Sequence, residues 1–219
     1  MNRVHNVRAL LASPDQSERL RTALNAGTYP ETEYIDVLAE RSAIEPDFYV
    51  REMIVWALMR HDSAQVVERL IPELKSEIPQ ARSQALHTFT KLNDKSLYKY
   101  IPRESLFDAT DFVAMTAWRA ASRLAPEGEQ LELAKILIHQ LGRGSYEVQH
   151  ALSRAFAVIG ESALPLLESA ALSKDSLVRG HATFTIAIMR DPWSEKKLAL
   201  EFSRRLDFLA GVTVDEDLL

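Results

Sequence analysis

The chain has 219 residues, 47% of them hydrophobic and 26% charged, which is enough apolar surface for a packed core and rules out a disordered chain. It contains no cysteine, so disulfides, thiolate metal sites and cysteine nucleophiles are excluded. The net charge of -5 is a poor match to a phosphate backbone, although a local basic patch remains compatible with it.

The N-terminus, MNRVHNVRALLASPD, carries no apolar stretch of signal-peptide length, and no run of about 18 apolar residues occurs anywhere. The expectation is a cytoplasmic protein that does not enter a membrane. With 7 Gly, 9 Pro and no Gly/Ser-rich linker, the expected organisation is one domain over 1–210 followed by a short acidic tail, 211–219.

Along the chain one segment recurs six times. It reads ERLRTALNA from Glu18, VREMIVWAL from Val50, ARSQALHTF from Ala81, VAMTAWRAA from Val113, VQHALSRAF from Val148 and VRGHATFTI from Val178. The starts are 32, 31, 32, 35 and 30 residues apart, the length of two helices of 12 to 14 residues plus two short turns. Counting each start as zero, offset four carries Thr22, Ile54, Ala85, Ala117, Leu152 and Ala182, and offset seven carries Asn25, Ala57, Thr88, Ala120, Ala155 and Thr185. Offsets zero, four, seven and eight share one helical face, and small residues there let a neighbouring helix approach. The first copy, with Glu18 and Asn25 on that face, has the character of an end repeat.

Partner helices are expected at 3–12, 31–43, 63–76, 95–107, 128–141 and 162–173, with Pro72, Pro102 and Pro165 bending three of them. Breakers mark the turns: Gly27, Asp62, Asn93-Asp94, Pro126 to Gly128, Gly160 and Asp191-Pro192. Arg19, Arg51, Arg82 and Arg179 recur at offset one, and Asp15, Asp47 and Asp175 stand three residues before the start, with Asp111 near register. Each Asp suits a helix N-cap and also a bridge to an Arg of the adjacent repeat. A last amphipathic helix over 193–210, with Leu198, Phe202, Leu206 and Leu209 on one stripe, is expected as a cap.

The valine–arginine start, the upstream Asp, the small residue at offset four and the bent first helix together resemble HEAT repeats, in particular those grouped with phycobilin lyase HEAT-like repeats. The resemblance covers about residues 3 to 190, and VREMIVWALMRH with QARSQALHT is also similar to bacterial HEAT-repeat proteins of actinobacteria. It implies an all-α fold: a right-handed α-solenoid of about six HEAT-like helix pairs plus the C-terminal capping helix. It also implies second helices that line the concave face, so offsets two, five, six and nine are expected to face a groove.

Those offsets hold Glu52, Val55, Trp56 and Met59, then Ser83, Leu86, His87 and Thr90, then Met115, Trp118, Arg119 and Ser122, then His150, Ser153, Arg154 and Ala157, then Gly180, Thr183, Phe184 and Ala187. The expected partner-binding set is Glu52, Trp56, Met59, His87, Met115, Trp118, Arg119, His150 and Arg154, because exposed aromatic, Met and Arg residues suit recognition of a protein or peptide. Arg119 and Arg154 would accept a carboxylate of the partner, and Arg119, Arg123 and Arg154 form a candidate anion site. The bland alternative is that Trp56 and Trp118 pack against neighbouring second helices.

No cofactor or metal is expected. His87 and His150 lie two repeats apart, roughly 20 Å at about 10 Å per helix layer, and His150 and His181 have no third ligand nearby in the pattern. HEAT-type hydroxylases place iron with His-Glu dipeptides, and none occurs here. Glu52 beside Trp56 is the only imitation of the carboxylate and aromatic wall of HEAT-like DNA glycosylases. LGRGS at 141–145 lacks the Lys-Ser/Thr of a phosphate loop and reads as a helix stop and restart. The expectation is therefore a non-enzymatic protein-binding or scaffold solenoid. The alternatives are an accessory or lyase-like subunit acting on a tetrapyrrole-bearing protein and a nucleic-acid-binding solenoid.

Overall fold

The computed structural model describes residues 3–191, so the expected capping helix at 193–210 and the acidic tail lie outside the described residues. The described residues form helices and turns and no strand. They divide into two compact units, the first ending at Ser105 and the second beginning at Leu106. No helix among them is long and apolar enough to cross a membrane.

The first unit contains α1 (Arg3–Leu11), α2 (Gln16–Thr28), α3 (Tyr34–Ser42), α4 (Phe48–Leu58), α5 (Ser63–Leu70) and α6 (Pro79–Leu92). The second contains α7 (Asp111–Leu124), α8 (Gln130–Leu137), α9 (Tyr146–Ile159), α10 (Leu164–Ala170) and α11 (Ser176–Arg190). The six repeated segments fall on α2, α4, α6, α7, α9 and α11. Their valines and small residues are core: Val50, Ile54 and Ala57 in α4, and Val113, Ala117 and Ala120 in α7, are sealed from solvent.

Proline does not bend the partner helices as expected: Pro72 and Pro102 divide two of them, and Pro165 stands in the first turn of α10. After α5 the chain passes at Pro72 into a 3-10 turn, Pro72–Lys75. The helix expected over 95–107 is instead two 3-10 segments, Lys95–Tyr100 and Arg103–Phe107. Pro102 disfavours helical backbone at Ile101, which is extended (φ -68, ψ 114), and it cannot donate the N–H that would join the two. Gly142 and Gly144 take positive φ (82 and 69) in the turn between α8 and α9, the stop and restart read from LGRGS.

The expected Asp–Arg ladder is replaced by two separate devices. Asp15, Asp47 and Asp175 each cap their own helix, accepting from the backbone N–H of Ser17, of Val50, and of Leu177 with Val178. The offset-one arginines reach back to the turn that delivers the helix. Arg51 donates to the carbonyls of Glu45 and Pro46, Arg82 to Ser76 and Glu77, and Arg179 to Ser173 and Lys174. These carbonyls follow a chain reversal and have no helical partner, so the arginine satisfies them. Where α9 has Gln149 instead, its side-chain amide donates to Gly144 O. Where α7 has Ala114, Arg143 from the next repeat substitutes: it donates to Asp108 O at 2.5 Å and pairs with Asp111 at 2.8 Å. That is the cross-repeat Asp–Arg pair, formed at the copy that lacks the offset-one arginine.

Arg19 has a further partner. It donates through Nε and Nη2 to both oxygens of Glu45, each at 2.9 Å, while Arg41 and the Asp47 N–H complete the carboxylate's partners. Glu45 is wholly buried. Burial alone would raise its carboxyl, but the hydrogen bonds from Arg19, Asp47 N–H and Arg41 prevail and hold it below its ordinary value.

Gly27 is not a turn residue. It lies inside α2, where a Cβ would stand 2.7 Å from Ala57 Cα and 2.5 Å from the Trp56 ring. Its missing side chain lets α4 close on α2.

Candidate functional site

The register that organises the core also decides which second-helix side chains reach solvent. Offset five does not in five of the six copies. Adjacent second helices pack on one another, α2 on α4, α4 on α6, α7 on α9 and α9 on α11, and offset five is buried as Ala23, Val55, Leu86, Trp118 and Ser153, while Thr183 of α11 is exposed. Offsets two and six remain on the open face at Glu52, Trp56, Met115, Arg119, His150 and Arg154, whereas Ser83 and Phe184 are buried.

Trp118 is accordingly not a partner-binding residue. Its side chain is fully enclosed, its indole N–H donates to Leu106 O at 2.8 Å, and the Arg143 guanidinium lies 5.7 Å from its ring centroid. One residue along a helix turns the side chain by about 100°, which separates Trp118 at offset five from Arg119 at offset six.

In the first unit the open face is built from α4 and α6. Glu52 Oε1 lies 2.7 Å from His87 Nε2 and Glu52 Oε2 lies 3.5 Å from Lys91 Nζ. Trp56 rests on Gly27 and remains 37% exposed, and Met59 at the end of α4 is 40% exposed. Sequence reasoning placed Glu52, Trp56, Met59 and His87 on this face but not Lys91, and did not anticipate that Glu52 and His87 of adjacent repeats meet. The charged side chains of this face are tied to one another.

The second unit differs. Between α7 and α9 lies a cavity of about 700 Å³. Met115, Arg119, His150 and Arg154, four of the expected residues, line it together with Arg123, Phe112 and Val158. It exists because the residues beneath are small: Thr116 on α7, and Ala151 and Ala155 on α9. Arg143, which starts just before α9, pairs with Asp111 at the start of α7, so the two helices begin side by side and run in parallel. The groove therefore has two ends. At the N-terminal end sit Phe112, Tyr146 and Glu147; at the C-terminal end sit Arg119, Arg123 and Arg154.

Tyr146 and Glu147 were not among the expected site residues, because they precede the repeated segment and its offsets were counted from Val148. The signal was an aromatic just before the start, which recurs at Phe48 and Phe112. Tyr146 stacks on His150 (centroids 5.5 Å apart, planes 22° apart), and Phe184 of α11 meets both rings, 6.3 Å from Tyr146 and 6.2 Å from His150. The three make a rigid aromatic ledge. The Ser145 hydroxyl donates to Glu147 at 2.6 Å and holds its carboxyl below the ordinary value, so this end of the groove is anionic at neutral pH. The arginines are charged at any physiological pH and present planar donor forks suited to carboxylate or phosphate. Together these groups can recognise an anion beside an apolar or aromatic group.

His181, raised in the sequence as a metal candidate, is a core residue. Gly142 N–H donates to its Nδ1 at 3.0 Å, which leaves Nε2 to carry the proton toward Gln149 O at 2.8 Å, with Ser153 Oγ at 3.1 Å. Burial keeps it neutral and lowers it to about 4. Among the described residues, no three His, Asp or Glu side chains gather as a metal-ligand set.

No protein-family model matches the chain. No curated protein matches its sequence. Among solved structures, two engineered proteins from a structural genomics consortium are similar in shape. One has TM-score 0.46 and 20% identity, covering 87% of this chain and 97% of its own. The other has TM-score 0.47 and 16% identity, covering 87% and 99%. The complex of CpcE and CpcF of phycocyanin lyase from Nostoc sp. PCC7120 is similar at TM-score 0.48 and 16% identity, covering 97% of this chain and 96% of that one. At these scores and identities the likeness carries no argument about role.

Proposed function

We propose that this chain is a non-enzymatic binding or scaffold module, cytoplasmic, that engages a protein or peptide partner through its second-helix faces, with the α7–α9 groove as the principal site. One observation supports this above the others: Met115, Arg119, His150 and Arg154, picked out from the repeat register and its HEAT-like resemblance, line a single cavity of about 700 Å³. Large or directed side chains over a small-residue floor concentrate affinity in few contacts. The HEAT-like character of the repeat agrees with the reading, since stacked helix pairs present such faces along their length.

The test is capture from native lysate with partner identification by mass spectrometry. Arg119→Ala and Arg154→Ala are each expected to weaken capture by about 1 kcal/mol or more while circular dichroism stays native. If both folded variants keep the partner and a first-helix substitution such as Glu40→Ala or Glu68→Ala abolishes it, the groove reading is wrong. An accessory subunit acting on a tetrapyrrole-bearing protein would use the same arginines against the chromophore's carboxylates, and a visible absorption band in the captured fraction would favour that alternative.

A further inference from the structure

We infer that the α7–α9 groove, taken as the partner site above, reads the polarity of an acidic peptide segment, seating its carboxylates at the arginine end and an aromatic or apolar residue at the Tyr146 end.

The first ground is the segregation of charge. Arg119 and Arg123 are one helical turn apart on α7, and Arg154 faces them from α9, so three guanidinium groups share one end. Glu147 marks the other. Tyr146 and Arg154 are separated by eight residues on α9, about 12 Å at 1.5 Å per residue, the span of three or four residues of an extended peptide. A segment entering in the wrong direction would set its carboxylates against Glu147, and repulsion of that kind selects orientation as strongly as attraction does.

The second ground is the apolar end. The Tyr146 and His150 rings stack on one another and meet Phe184, so their freedom is already restricted before binding, and Met115 and Phe112 line the same cavity. An aromatic side chain can lie there with little entropic cost. The third ground is contrast with the rest of the chain. The net charge is -5, so the groove is a local reversal of sign that orients an acidic segment toward itself. A nucleic acid fits less well: its charge is continuous along the strand, whereas here the cations stop within one groove and an anion closes its other end.

The experiment uses the full chain as bait for an mRNA-displayed library of random dodecapeptides, selected in parallel on wild type, Arg119→Gln, Arg154→Gln and Glu147→Gln. Wild type is expected to enrich peptides with two or more Asp or Glu in one half and Phe, Tyr or Trp in the other, always in the same order. A fluorescein-labelled winner should lose about tenfold or more in affinity to either arginine variant and weaken steeply with salt. Glu147→Gln should relax the order, so that acidic residues spread over the peptide.

Three results would overturn the inference. Peptides that bind wild type without acidic bias, and bind the arginine variants equally well, would leave the peptide-binding reading standing and remove this one. No enrichment over bare support would remove both. A labelled twelve-nucleotide oligothymidine that binds more tightly than the best peptide, and depends on the same arginines, would reassign the groove to nucleic acid.

Discussion

The α4–α6 face of the first unit and the α7–α9 groove of the second are built on the same offsets of the same repeat, yet their long side chains are used differently. In the first unit the offset-two residue Glu52 meets the offset-six residue His87 of the next second helix at 2.7 Å, and Trp56 settles on Gly27. The long side chains there are consumed by one another. In the second unit the offset-six residues are arginines over Thr116, Ala151 and Ala155, and the floor is too small to fill the space. Register decides which positions are open. The size and charge of the side chains one turn away decide whether an open position becomes a site.

The two tryptophans give the sharpest way to break this comparison. Trp118→Ala should destabilise the second unit by about 3–5 kcal/mol, because it empties a fully enclosed site and leaves Leu106 O without its donor. Trp56→Ala should cost the first unit less, about 1–2 kcal/mol, since its ring is already 37% exposed. Urea unfolding of both variants measures the difference. Equal losses would mean that offset five and offset six are not distinguished by burial.

Acid should separate the two units. His181 is lowered from 6.5 to about 4 in the folded chain, so the unfolded chain takes up the proton first. Its contribution is complete above pH 6.5 and is lost as pH falls toward 4, about 3 kcal/mol in all. Glu45 in the first unit is also lowered, so its contribution is complete above its ordinary value of 4.5 and is lost as pH falls from there through its lower folded value. Hydrogen exchange at pH 7, 5.5 and 4.5 should therefore show α9 and α11 losing protection while α2 and α4 retain it. Loss in both units together would break the assignment, and His181→Gln should flatten the pH dependence of the second unit.

A smaller effect concerns the turn clamps. Arg51→Ala should cost about 1 kcal/mol by removing the donor to the Pro46 carbonyl, while Gln80 still donates to the Glu45 carbonyl. A loss as large as that of Glu45→Gln, measured in the same denaturant series, would mean that Arg51 acts through the buried ion pair and not through the turn.

The repeat was legible because it is a local, periodic signal. Six aligned segments place the second helices, the Asp caps and the prolines of the partner helices without any knowledge of what packs on what, since capping and proline act within a few residues. The helical pairs follow from that periodicity, and the groove positions Met115, Arg119, His150 and Arg154 follow from it only together with the HEAT-like resemblance, which implies that the second helices line one face. The burial of Trp118 does not. A period of 3.6 tells which residues share a face, but only the seam between α7 and α9 decides that offset five belongs to the core. Gly27 likewise has the composition of a turn and the role of a packing contact, because the closeness of α4 is a property of two helices and not of one. The cavity itself is tertiary in origin. It depends on small residues of one helix lying opposite arginines of another, 32 to 36 residues away in sequence (Arg119 to Ala151, Arg119 to Ala155), and no periodicity within either segment records that distance.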